Sequence, residues 1–184
     1  MSDRNQHEEE ASRDRRHEAG GAARSEDVGR AEDRDGPGVF VPPPLQFGLA
    51  VAAGVILDGN APGWHQLTDL PQFAGLVVAL AGLGLIAICL GLFRRFGTRP
   101  EPWQPDQALI ASGVYKLSRN PMYLGMALLC LGIAMLFKSL VGIILLGVAL
   151  VVIDRYVVAR EEAYLARRFG AEYDAYRAKV RRWL

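Results

Sequence analysis

The chain has 184 residues, of which 51% are hydrophobic, and it sets 21 Lys and Arg against 20 Asp and Glu for a net charge of +1. A balance so close to neutral gives no electrostatic grip on nucleic acid. With only two cysteines, Cys89 and Cys130, both inside apolar runs, a disulfide-stapled or metal-clustered scaffold is excluded as well.

These averages hide two unlike parts. From Met1 to Phe40 the sequence is rich in Arg, Asp, Glu and Gly and has no aromatic residue before Phe40. Such a stretch cannot bury enough apolar surface to offset the entropy of ordering it, so residues 1–41 are expected to form a disordered charged tail. It lacks the apolar run of a secretory signal and is too acidic for a transit peptide. Residues 42–184 are expected to form one all-α domain, a polytopic membrane bundle of about four helices with a helical C-terminal segment.

Pro42 to Leu57 makes a short first span, rich in Gly and Ala, that stops at Asp58. Gln72 to Phe93 carries no charge and ends at Arg94-Arg95, which is the length needed to cross roughly 30 Å of hydrocarbon. Met122 to Phe137 and Leu140 to Ile153 are separated only by Lys138 and Ser139, so they should form an antiparallel hairpin. The second arm gains length from Tyr156 to Val158. Lys and Arg concentrate between Arg94 and Arg119 and again after Arg155, whereas Asp58 to Pro71 has none. The positive-inside rule then puts both termini in the cytoplasm, at the inner membrane if the cell is bacterial.

Between the second and third spans, three prolines in Thr98 to Gln107 forbid a continuous helix. Gly113 permits a turn, and Asn120-Pro121 has the form of a helix start, Asn at the cap and Pro at the first helical position. Amide groups at that start would lie beside Tyr115, Arg119 and Tyr123 and would suit a ligand carboxylate. The plain alternatives are a simple cap for Asn120 and an interfacial aromatic belt for the tyrosines. After the hairpin comes Arg160-Glu161-Glu162. Glu161 reaches Arg168 only distantly and Glu162 lies about a turn from Ala166, which leaves at least one acid without an obvious local partner. Such a run is ordinarily a solvated helix face; turned back into the bundle, it would hold a cation such as an α-ammonium group. Gly170 should end or bend this helix, with Tyr173, Tyr176 and Trp183 keeping the tail near the interface.

Gly113-Val-Tyr-Lys-Leu-Ser-Arg-Asn-Pro-Met-Tyr-Leu-Gly125 before a hairpin, followed by Arg160-Glu-Glu and Phe169-Gly-Ala-Glu-Tyr-Asp-Ala-Tyr176 after it, resembles the isoprenylcysteine carboxyl methyltransferases and the related phospholipid methyltransferases. The resemblance implies a membrane enzyme that uses S-adenosylmethionine bound by the hairpin and C-terminal segment. It implies that Tyr115, Asn120, Met122, Tyr123, Leu124, Gly125, Glu161 and Glu162 contribute to the cofactor pocket, with Glu162, Tyr123 and Asn120 in catalytic roles and no metal. Gly82 and Gly84 would match a glycine pair of the phospholipid branch or serve simple helix packing.

Asn120 stands where the isoprenylcysteine enzymes carry His, which leaves the acceptor open among a carboxylate, a thiol and a lipid headgroup, including a phosphatidylethanolamine-type amine. Transfer from a sulfonium is an in-line displacement, and a carboxylate or thiolate acceptor needs no base. An amine would need Tyr or Glu to take its proton, since His7, His17 and His65 all lie outside the implied site. A non-enzymatic four-helix protein is the competing reading, and a transporter is disfavoured because no ionisable residue interrupts the spans before Asp154.

Overall fold

The computed structural model describes residues 41–60, 71–97 and 108–184. The expected charged tail through residue 40, the three histidines, and the loops 61–70 and 98–107 lie outside the described residues. The elements in chain order are α1 (Pro43–Gly59), α2 (Gln72–Arg95), a 3-10 turn (Gly113–Lys116), α3 (Pro121–Leu136), α4 (Leu140–Val152), a π-helical turn (Ile153–Val158), α5 (Ala159–Phe169) and α6 (Ala171–Lys179). Among the described residues there is no strand, and the four expected spans coincide with α1 to α4.

Two helices are long and apolar enough to cross a bilayer: α2, with 24 residues, and the continuous rod Leu140–Phe169, with 30. The 17 residues of α1 and 16 of α3 are shorter, about 24–26 Å at 1.5 Å per residue. What separates α2 from the core helix of a soluble protein is its exposure. Only 17% of its apolar window is covered by protein, and Phe73, Leu76, Val77, Leu80 and Leu83 all point outward. An apolar surface of that extent is stable against lipid and not against water.

Helix α3 is the central element, with α2 on one side and α1 and α4 on the other. Its contact with α2 is backbone to backbone. A Cβ on Gly82 would fall 2.4 Å from the amide nitrogen of Leu129 and 2.6 Å from the carbonyl of Gly125, and one on Gly132 would fall 2.4 Å from the nitrogen of Ala79. Membrane helices have little hydrophobic drive to pair, so close approach at small residues supplies the attraction instead. Gly84 takes no part, since nothing lies within 4 Å of its Cβ position. The glycine pair thus divides, with Gly82 serving packing and Gly84 facing open space.

At the hairpin end of the bundle, Lys138 adopts φ 54° to reverse the chain, and α1 is tied to the start of α4. The Ser139 hydroxyl donates to Asp58 Oδ2, the amide of Val141 donates to the same oxygen at 3.1 Å, and Ser139 Oγ accepts from Gly142 at 2.9 Å. The acid that ends the first span is buried, with 5% exposure, because it accepts from the orphan amide of Val141 and from the Ser139 hydroxyl at the start of another helix.

Replacing Gly82 with Val should force α2 from α3 and destabilise the bundle by about 1–3 kcal/mol, whereas Gly84→Ala should be close to neutral; thermal unfolding in detergent measures both.

Candidate active site

The polar end of α3 is built by a run of turns. Gly113, at φ 59°, enters the 3-10 turn, after which Ser118, Arg119 and Asn120 lead into Pro121 at the first helical position. Asn120 occupies the cap position, and its carbonyl accepts the first helical bond, from Leu124, at 3.1 Å. Its side chain does not cap. The Nδ2 donates to the Arg182 carbonyl at 3.0 Å, while the Asn120 amide is satisfied by Ser118 Oγ at 3.1 Å.

On the other side, α4 runs through the π turn into α5, whose first turn carries Glu161 and Glu162. Gly170, at φ 51°, breaks α5 from α6, and the chain returns as an extended C-terminal strap, Val180 to Leu184, beside the start of α3. The strap amide partner is explicit: Arg119 N–H donates to the Arg181 carbonyl at 3.0 Å.

Side-chain links join these segments. The Tyr123 hydroxyl donates to Glu161 Oε1 at 2.6 Å. Arg119 Nη1 lies 3.2 Å from Glu162 Oε1, with both side chains nearly buried, and contacts the Tyr173 hydroxyl at 3.4 Å. Arg182 forks onto Glu162, with Nε to Oε1 at 3.0 Å and Nη2 to Oε2 at 2.6 Å. Its Nη1 reaches Asp154 at 3.3 Å, and Trp183 Nε1 donates to the same carboxylate at 2.9 Å. The Glu-Glu run is therefore not a solvated face. Its partners are more than a helix away in sequence, where local pairing rules cannot see them.

The residues implied by the resemblance separate into groups. Tyr123, Glu161, Asn120 and Glu162 converge on the start of α3. Tyr115 turns instead toward α2, where its ring meets Phe93 edge-on at 6.1 Å, its hydroxyl pairs with Cys89, and its carbonyl accepts from the Tyr176 hydroxyl at 2.7 Å. Gly125 is taken up in the seam with α2, a Cβ there falling 2.9 Å from Ile86 Cγ1. Met122 and Leu124 are half-buried on flanking faces of α3. Tyr173 is not an interfacial anchor, having 1% exposure, and Trp183 packs against the bundle core.

Burial raises the Tyr115 hydroxyl above its ordinary range, with Cys89 adding to the effect. Burial likewise pushes Tyr176 up to about 12 and raises Tyr173, the latter aided by Glu162 and opposed by Arg119. Arg182 is raised chiefly by its hydrogen bond to Glu162, so its charge is secure. Among the described residues, no group of three or more His, Cys, Asp or Glu could hold a metal ion. Asp154 and Arg182 are the site residues to which sequence reasoning gave no role. The one available signal was charge, with Asp154 closing the last apolar run and Arg182 standing in the basic run after the motifs.

A family model for phospholipid methyltransferases matches residues 70–172, more than half the chain and all of α2 to α5. The chain belongs to the phospholipid methyltransferase family. In that family's range of relatives, it is 30% identical over 122 residues to a protein-S-isoprenylcysteine O-methyltransferase of Schizosaccharomyces pombe, an alignment covering 60% of this chain and 51% of the yeast enzyme. This family member thus spans about half the length of that relative. It is also 38% identical over 63 residues to an uncharacterized protein of Haemophilus influenzae, which it covers in full. No solved structure matches. Together with the lipid-facing helices, family membership makes the chain an integral membrane protein, and the strap lies beyond the matched span.

Tyr176 keeps its proton in the fold to about 12 against about 10 in the unfolded chain. Its contribution to stability is full below about 10 and is lost as pH rises through the folded value. Wild type should therefore lose stability relative to Tyr176→Phe as the pH is raised above about 10, which paired thermal melts across that window would report.

Proposed function

We propose that this chain is an S-adenosylmethionine-dependent membrane methyltransferase whose site lies between the start of α3 and the first turn of α5, facing the cytoplasm. The observation that carries the reading is the 2.6 Å hydrogen bond from Tyr123 to Glu161. It joins the two motif segments that the family resemblance requires to act together, across 38 residues of sequence.

The donor set fits the cofactor's amino-acid end. Glu161 supplies a carboxylate for an α-ammonium group, and Arg119 is a nearly buried guanidinium whose Nε has no hydrogen-bond partner among the described residues, suited to an α-carboxylate. When bound, the cofactor supplies an electrophilic methyl group on a sulfonium. Tyr123 orients Glu161 by its hydrogen bond and offers a hydroxyl at the mouth of the bundle. Asn120 holds the α3 start in register with the strap. Glu162, clasped by two guanidiniums, fixes the α5 turn that carries Glu161. The apolar helices around the site exclude water, which an in-line transfer needs more than it needs a base.

The acceptor is a carboxylate, a thiol or a lipid headgroup. Similarity to the yeast enzyme favours a carboxylate, and the family model favours a headgroup amine, for which Glu161 through Tyr123 would take the proton. The basic residues following α2 and α5, against none between α1 and α2, support cytoplasmic termini by the positive-inside rule.

S-adenosylhomocysteine should bind saturably to the detergent-solubilised protein, and Tyr123→Phe and Glu161→Gln should each weaken it by about tenfold or more, equivalent to ~1.4 kcal/mol. Absence of binding, or binding indifferent to both substitutions, would sink the proposal. Incubating membranes with methyl-labelled cofactor and identifying the labelled product would decide between acceptor classes.

A further inference from the structure

The π turn at Ile153–Val158 places two acids where one cation can hold both. Asp154 and Glu162 are eight residues apart, and on a regular α-helix of 3.6 residues per turn they would be about 80° apart around the axis. A π turn advances fewer degrees per residue, which brings Asp154 round toward the face of Glu162. Arg182 spans them, forking onto Glu162 at 2.6 and 3.0 Å and reaching Asp154 at 3.3 Å. Its backbone serves the other motif: the same residue's carbonyl accepts from Asn120 Nδ2 at 3.0 Å and from Ser118 Oγ at 3.2 Å. Trp183 pins the strap by donating to Asp154 and packing on the core.

From this juxtaposition we propose that Arg182 is a positioning residue of the methyl-transfer site, fixing Glu162, and through the α5 turn Glu161, against the start of α3. The inference rests on the proposed function. It assigns the C-terminal strap, outside the span matched by the family model, to the working site. Removing the guanidinium would leave Asp154 and Glu162 half-buried with their shared cation gone, so the α5 turn would shift from Tyr123. Lysine keeps the charge but cannot fork onto a carboxylate or bridge two of them.

The test is the dissociation constant of S-adenosylhomocysteine for the full chain in detergent, measured well below each variant's melting transition, where unfolding does not lower the apparent affinity. A merely structural role would lower the number of binding sites and leave the constant unchanged. Arg182→Ala and Arg182→Lys should each weaken binding by about tenfold or more, Asp154→Asn should weaken it less, and Lys179→Ala should leave it as in wild type. If Arg182→Ala does not fold, Arg182→Lys carries the measurement. Wild-type affinity in Arg182→Lys, whatever its binding capacity, overturns this inference alone; failure of the wild-type protein to bind overturns the proposed function and this inference with it.

Discussion

The polar end of this bundle is organised around one carboxylate. Glu162 has 13% of its side chain exposed and is gripped by Arg119 from before the hairpin and Arg182 from the end of the chain. An acid taken that far out of water is tolerable only when its lone pairs are filled by cationic donors. Satisfying it requires α5 to turn its charged face inward and α6 to fold back. The strap must then run beside α3. The Tyr123 to Glu161 bond lies on the same turn of α5, beside this clasp.

That arrangement needs α3 held still, and the opposite end and flank of the helix provide it. Against α2, Gly82 and Gly132 allow backbones to meet with no side chain between them, a contact with few alternative packings. Beyond the hairpin, Asp58 fastens α1 to the first turn of α4, so both arms of the hairpin are clamped from outside the pair. Precision at the site is thus inherited from a glycine seam on one side and a buried cap at the far end.

The sequence made the spans and the hairpin legible because uninterrupted apolar length and a two-residue joint leave no other solution. Gly113 and Gly170 were legible as turns because glycine takes a left-handed backbone without strain, and both adopt positive φ. The α5 acids were visible but not their setting, since local helix pairing offered Glu162 nothing and its real partners lie 43 residues before it and 20 after. Asn120 was placed correctly at the helix start, yet its side-chain amide serves the strap, donating to the Arg182 carbonyl instead of capping the helix. The π turn left no trace in residue type; it exists to suit tertiary pairing, which propensity does not encode. Tyr115 belongs spatially with α2, and only the fold could show which way its ring turns.

The rod from Leu140 to Phe169 also works as a ruler. It leaves the hairpin beside α3 and must deliver Glu161 to Tyr123 at the right height and the right angle. Each residue inserted or lost in such a rod moves everything beyond it by about 1.5 Å and 100°. The count of residues between Ser139 and Glu161 is therefore constrained as firmly as the identity of either acid, although most of those positions accept any apolar side chain. At its lipid-facing positions that stretch can vary in side chain, and hardly at all in length.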